Sequence, residues 1–104
     1  MVICEISIVP LGTGTTSLSA YVADCHRILE SQSRVRYQLT PMGTILEGNL
    51  EDILQLAARL HEVPFERGAR RAVMTLKVDD RRDRDASMDA KVQSVQEQLK
   101  ENLP

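Results

Sequence analysis

A chain of 104 residues, 42% of them apolar, has the length of one domain and an adequate but not generous core, burying about 60 to 70% of its unfolded surface. Its 15 acidic and 13 basic residues leave a formal net charge of -2 and a pI near 5.6, which argues against nucleic acid as a partner, because that needs a concentrated basic face. Only Tyr21, Tyr37 and Phe65 are aromatic, too few for a base-stacking platform.

The opening run Val2 to Val9 alternates Val2, Cys4, Ile6 and Ile8 with Ile3, Glu5, Ser7 and Val9, the period-two signature of a strand with two distinct faces. It is too short for a membrane span and lacks the basic flank and cleavage site of a signal peptide, so the expectation is a cytosolic protein with no membrane partner. Cys4 and Cys25 lack CxxC spacing and read as reduced thiols filling apolar positions. After a Gly12-Thr13-Gly14 turn, Leu18, Tyr21, Val22, Cys25, Ile28 and Leu29 follow helical spacing, with Thr16 or Ser17 available as the N-cap.

Arg34 to Thr40 reads as a second strand, turned back by Pro41-Met42-Gly43 into a third from Thr44 to Glu47. Asn49 caps a second helix with Ile53, Leu54, Ala57 and Leu60 on its buried stripe and Gly68 placed to end it. Pro64 should interrupt or kink that helix near Leu60 to His61, since its ring removes a backbone donor. Arg71 to Asp79 is the fourth strand, with Ala72, Met74, Leu76 and Val78 on one face. A last helix from Ser87 to Leu103 carries a narrow seam of Met88, Val92, Val95 and Leu99, suited to a sheet edge or another subunit. The order βαββαβ, with helices on one side of an antiparallel four-stranded sheet and an additional C-terminal helix, is the ferredoxin-like α+β arrangement.

The face opposite the helices collects Glu5, Ser7, Gln38, Thr40, Glu47, Thr75 and Lys77 by strand phase. Carboxylates there can pair a cation, and hydroxyls and an amide can orient it. A solvated outer face explains the same alternation, but Ile3, Val9, Ile45 and Val73 share it, and an open face would expose an apolar patch. The other candidates are weaker. Gly12 to Ser17 lacks the GK[ST] ending of a phosphate loop and reads as a tight strand-to-helix turn. His61-Glu62 begins like HExxH, but Phe65 stands where the second histidine belongs, so a zinc protease is excluded; His26 lies off the apolar stripe and is expected to face solvent. Asp79 to Asp85 interleaves arginines with acids and is no calcium loop; Arg81 or Arg82 reaching a ligand phosphate or a neighbouring subunit is the lesser reading. No serine or cysteine has a base beside it for nucleophilic catalysis, which leaves Glu5 and Glu47 as an acid–base pair for the enzymatic alternative.

Several stretches together resemble the small thiamine-binding proteins related to the YkoF group: Ile6-Ser7-Ile8-Val9-Pro10-Leu11-Gly12-Thr13-Gly14, Ser17 to Val22, Leu39-Thr40-Pro41-Met42-Gly43-Thr44 with Glu47-Gly48, His61-Glu62, and Lys77-Val78-Asp79-Asp80-Arg81-Arg82-Asp83. Pro64 departs from the usual run after His61-Glu62. The resemblance implies a ferredoxin-like subunit that pairs through its sheets as a dimer, often a tetramer, and binds thiamine or a relative without a known reaction. On strand phase and motif match, Glu5 and Glu47 would serve the thiazolium charge, Ser7, Thr40 and Thr44 the ring edge, with Thr75 beside them. No metal and no cofactor other than thiamine as ligand is expected. A structural or regulatory oligomer without ligand, and an enzyme acting on a small heteroaromatic metabolite, are the competing readings.

Overall fold

Ten residues of alternating character, Val2–Leu11, form the central strand β1, which pairs antiparallel with a neighbour on each side. The computed structural model describes residues 1–84 and 87–101. Along the chain, β1 is followed by α1 (Ser19–Glu30), β2 (Arg36–Thr40), β3 (Gly43–Gly48), α2 (Leu50–His61), a short α3 (Val63–Glu66), β4 (Arg71–Asp79) and α4 (Met88–Glu101). The sheet order is β2-β3-β1-β4, so the α+β, ferredoxin-like arrangement expected from the sequence is the one observed.

One face of the sheet is sealed by α1 and α2. Val2, Cys4 and Ile6 of β1 and Leu46 of β3 pack against Leu29 of α1 and Ile53, Leu56, Ala57 and Leu60 of α2. Asn49 caps α2 as expected, its side-chain oxygen accepting from the Glu51 N–H at 3.0 Å. Pro64 interrupts rather than bends: α2 ends at His61 and a fresh turn starts at Val63, placing Pro64 in a first turn, where a missing N–H has no partner to lose. Gly68, at φ +92, ends that second turn.

β1 and β3 run one or two residues beyond the expected ends, and the starts of α1 and β2 and one stripe position also differ from the sequence reading. Neither Thr16 nor Ser17 caps α1, because the Ser17 N–H donates to Thr15 Oγ1 and the Ser17 and Ser19 hydroxyls face each other at 3.1 Å, so the polar groups close a local turn and the helix starts later, after Leu18. β2 starts at Arg36 rather than Arg34, since Gln32 binds both the N–H and the C=O of Val35 and holds that residue in a loop. Leu54 is exposed rather than on the buried stripe, which runs through Leu56 instead. The expected end of the last helix, Leu103, lies outside the described residues, as do Asp85 of the charged crossing and the C-terminal positions beside Leu103.

α4 lies over the other face of the sheet, tied to it by ion pairs from Asp89 to Arg36 and from Lys91 to Asp79. It does not bury its seam: Val92, Val95 and Leu99 are 59%, 60% and 63% exposed. The radius of gyration, 16.0 Å, exceeds the ~13 Å of a compact chain of this length. No helix among the described residues is long and apolar enough to cross a membrane.

Candidate ligand-binding site

Strand register assigns the polar residues to rows. Directly paired residues share a face, so Arg36, Glu47, Ile3 and Asp79 form one row across the face beneath α4, and Gln38, Ile45, Glu5 and Lys77 the next. A third row runs through Thr40, Gly43, Ser7 and Thr75, with Gly43 closing on Ser7. Thus Glu5, Ser7, Thr40, Glu47 and Thr75 occupy the face that strand phase assigned them. Thr44 does not. It pairs with Ile6 and belongs to the helix-covered face, because one step along a strand reverses the side chain's direction.

These residues differ in what they have free to offer. Glu47 is 3% exposed and its carboxylate already pairs with Arg36 Nη1 at 3.3 Å, while the other Arg36 nitrogen reaches Asp89 of α4. A buried carboxylate held this way is costly to unpair. Glu5 is half-buried between Ile45 and Lys77 and makes neither hydrogen bond nor ion pair with a described residue. The Thr40 hydroxyl is spent in the hairpin turn, donating to the Gly43 carbonyl at 2.8 Å and accepting from the Met42 N–H. Beneath α4 the face opens into a wide hollow of about 740 Å³, walled by Ile3, Gln38 and Ile45 on one side and by Met88, Val92 and Gln96 on the other. None of the six expected site residues lines it.

Three of the six line a smaller and better enclosed cavity of about 320 Å³ at the end of the β2–β3 hairpin. Ser7, Thr40 and Thr44 contribute there, beside Ile6, Ile8 and Val9 of β1. Its opposite wall is the inner face of α1, with Tyr21, Cys25 and His26, closed at the base by Leu29, Leu60 and Pro64 and at the hairpin side by Leu39 and Met42. The volume and the mixture of apolar walls with a few hydroxyls fit a small organic ligand. Glu5, Glu47 and Thr75 are not part of it.

His26 corrects an expectation. It does not simply face solvent: its ring meets Tyr37 edge-on, with centroids 5.4 Å apart, and its Nε2 lies 3.1 Å from a Glu30 carboxylate oxygen one turn later. Burial, with a smaller contribution from the Asp24 charge, pushes the Cys25 thiol up to about 11, so at neutral pH it is an uncharged wall element and no nucleophile. Both cysteines are free. Across the mouth of α1, Asp24 binds Arg67 through two oxygens, beyond the end of α3, and also takes Arg27 at 2.6 Å. The Arg67 hydrogen bond is the main reason its carboxyl titrates below the usual range.

Tyr21 and Cys25 were legible in the sequence as part of a helical repeat, and His26 as a residue off its apolar stripe, but none of the three as a cavity wall. The signal that points to them is a mismatch of lengths: a ten-residue strand beside a hairpin that turns back opposite its middle leaves space at one end of the sheet.

Against known proteins, a family described as "Thiamine-binding protein" matches residues 4–96. The UPF0045 protein YqgV of Bacillus subtilis is 42% identical over 102 residues, covering 95% of this chain and 98% of that one. A UPF0045 protein of Methanothermobacter thermautotrophicus is 41% identical over 100 residues, covering 95% and 100%. Among solved structures, the hypothetical protein MJ1052 of Methanocaldococcus jannaschii superposes with a TM-score of 0.83 at 32% identity, covering 92% of this chain and 96% of that one.

Proposed function

Because the chain belongs to the thiamine-binding protein family, we propose that it binds thiamine or a closely related heteroaromatic molecule in the cytosol, without transforming it, in the cavity between α1 and the end of the β2–β3 hairpin. The observation that carries this reading is the cavity itself: a half-open space of about 320 Å³, apolar on most sides, with Ser7 and Thr44 in its wall. An enzyme using Glu5 and Glu47 is disfavoured, because the Glu47 carboxylate is held by Arg36 and is not free to exchange a proton with a substrate.

The same reading includes self-association as a dimer or a tetramer of paired dimers. Exposed Val9 and Val73 sit opposite each other on β1 and β4, and the α4 seam is uncovered; a second copy laid on that face would remove both from water. A second location for the ligand rests on Glu5. This half-buried carboxylate, with no hydrogen-bond or ion-pair partner among the described residues and with Thr75 in the neighbouring row, lies on the same face as the hollow without lining it, and would meet a thiazolium there once another subunit covers that face.

Isothermal titration with thiamine, its pyrimidine half and its phosphate esters tests the function. Saturable heat with thiamine is expected, and no heat from any of them at millimolar concentration overturns the reading. Two substitutions then separate the locations. Thr44→Val should weaken thiamine by roughly 10-fold if the cavity holds it, and Glu5→Gln should do so only if the open face does.

A further inference from the structure

β3 runs beside β1 only as far as the pair Thr44 and Ile6, because the chain turns back at Pro41 and Met42, whereas β4 follows β1 to Leu11. Beyond Ser7, on which Gly43 closes, the β3 side of β1 is a bare strand edge. Two observations fix which main-chain groups line it. The Ile6 carbonyl oxygen points toward β3, lying 2.8 Å from the place a Cβ on Gly43 would occupy. In a strand the N–H and C=O of one residue point to the same side, and the side alternates along the chain, so those of Ile8 and Pro10 point to the bare edge. Pro10 agrees with this phase, since prolines sit in strands where the missing donor faces no neighbour. Ile8 therefore presents one N–H and one C=O to that side, and no turn or loop backbone among the described residues takes them up.

The cavity wraps this edge. Four consecutive β1 residues, Ile6 to Val9, line it. Alternate strand residues face opposite ways, so a space that touches all four runs along the strand's edge, not across one face. A backbone donor and acceptor in a cavity wall call for a partner.

We propose that the bare β1 edge at Ile8 reads the ligand, its N–H and C=O engaging an adjacent acceptor and donor on the rim of a planar, uncharged amino-heteroaromatic ring. This rests on the thiamine reading above and deepens it. The aminopyrimidine half of thiamine carries such a pair, a ring nitrogen beside an exocyclic amine. No Lys, Arg, Asp or Glu is among the cavity-lining residues, so the pyrimidine enters while the charged thiazolium, or a phosphate on its side chain, stays at the mouth. A peptide strand is a poor occupant, because Pro10 removes the donor that the next register position would need.

The test uses the ¹⁵N-labelled full chain. On titration with thiamine, the Ile8 amide proton should move downfield and exchange more slowly with solvent, and the isolated pyrimidine half should produce the same change. Oxythiamine, whose ring carries a carbonyl and an N–H where thiamine has an amine and a bare nitrogen, reverses the donor–acceptor order and should bind at least ~10-fold more weakly. Saturable thiamine binding that leaves Ile8 unshifted and unprotected, or oxythiamine binding as tightly as thiamine, overturns the edge assignment and leaves the functional reading intact. Absence of binding by both thiamine and its pyrimidine half removes the two together.

Discussion

Leu46 and Ile45 are adjacent on β3, yet they live in different surroundings. Leu46 is 0% exposed, set between Cys4 of β1 and the helices. Ile45 faces the other way, between Gln38 and Glu5, under a helix that stands off the sheet. The contrast extends over the whole sheet: the helix-covered face is closed by the chain's own residues, while the other mixes charged rows with apolar side chains and an unburied helical seam. A surface of the second kind leaves apolar area for a partner to cover, so on the self-association proposed above one face serves folding and the other association.

The largest expected effect tests that contrast directly. Leu46→Ala should cost about 2–5 kcal/mol, since it opens a cavity in a packed core. Ile45→Ala, one residue away, should cost less than ~1.5 kcal/mol, as for a partly exposed apolar position. Urea denaturation of the two variants reads the difference, and equal losses would mean that the chain closes both faces by itself.

Much of the fold was legible because its signals are local and repeated. β1 and β4 alternate cleanly, and the expected span of β4 is the observed one. Asn49 announces α2 through a cap that depends only on its own side chain and the next turn. The errors arise where a polar side chain had two uses: Thr15, Ser17 and Ser19 satisfy one another and not the helix end, and Gln32 holds Val35 out of the second strand. The site was legible in phase but not in place. Face assignment by alternation succeeds for Glu5, Ser7, Thr40, Glu47 and Thr75, yet strand phase cannot show that Glu47 meets Arg36 across the hairpin or that the smaller cavity lies at the sheet's end. Those facts depend on register, which is set by where Pro41 and Met42 turn the chain.

A second variant sharpens the reading of the open face. Val95 is 60% exposed on α4, so Val95→Asp should change the stability of the isolated subunit by no more than ~0.5 kcal/mol. If a second copy covers that seam, the same substitution buries a charge in the interface and should shift sedimentation velocity profiles toward monomer at micromolar concentration. Unaltered association would mean that the subunits meet elsewhere.

The smallest effect lies on the closed side, where Asp24 links α1 to the residue beyond α3 through Arg67, 43 positions away. Its folded carboxyl sits below the ordinary value, so the contribution to stability is present above the unfolded value of about 3.9 and is lost as pH falls through that point toward the folded one. Asp83 is lowered further, to about 2, and Asp80 is lowered as well, each by an arginine two positions away. Pairs so close in sequence persist in the unfolded chain and therefore shift both states alike. Asp24→Asn should flatten the loss of stability as pH falls below about 3.9, whereas Asp83→Asn should leave it nearly unchanged, although Asp83 is the more strongly shifted group. Thermal denaturation across that range distinguishes them. A larger flattening from Asp83→Asn would show that the charged crossing after β4, and not the α1–α3 link, is the part whose ion pairs depend on folding.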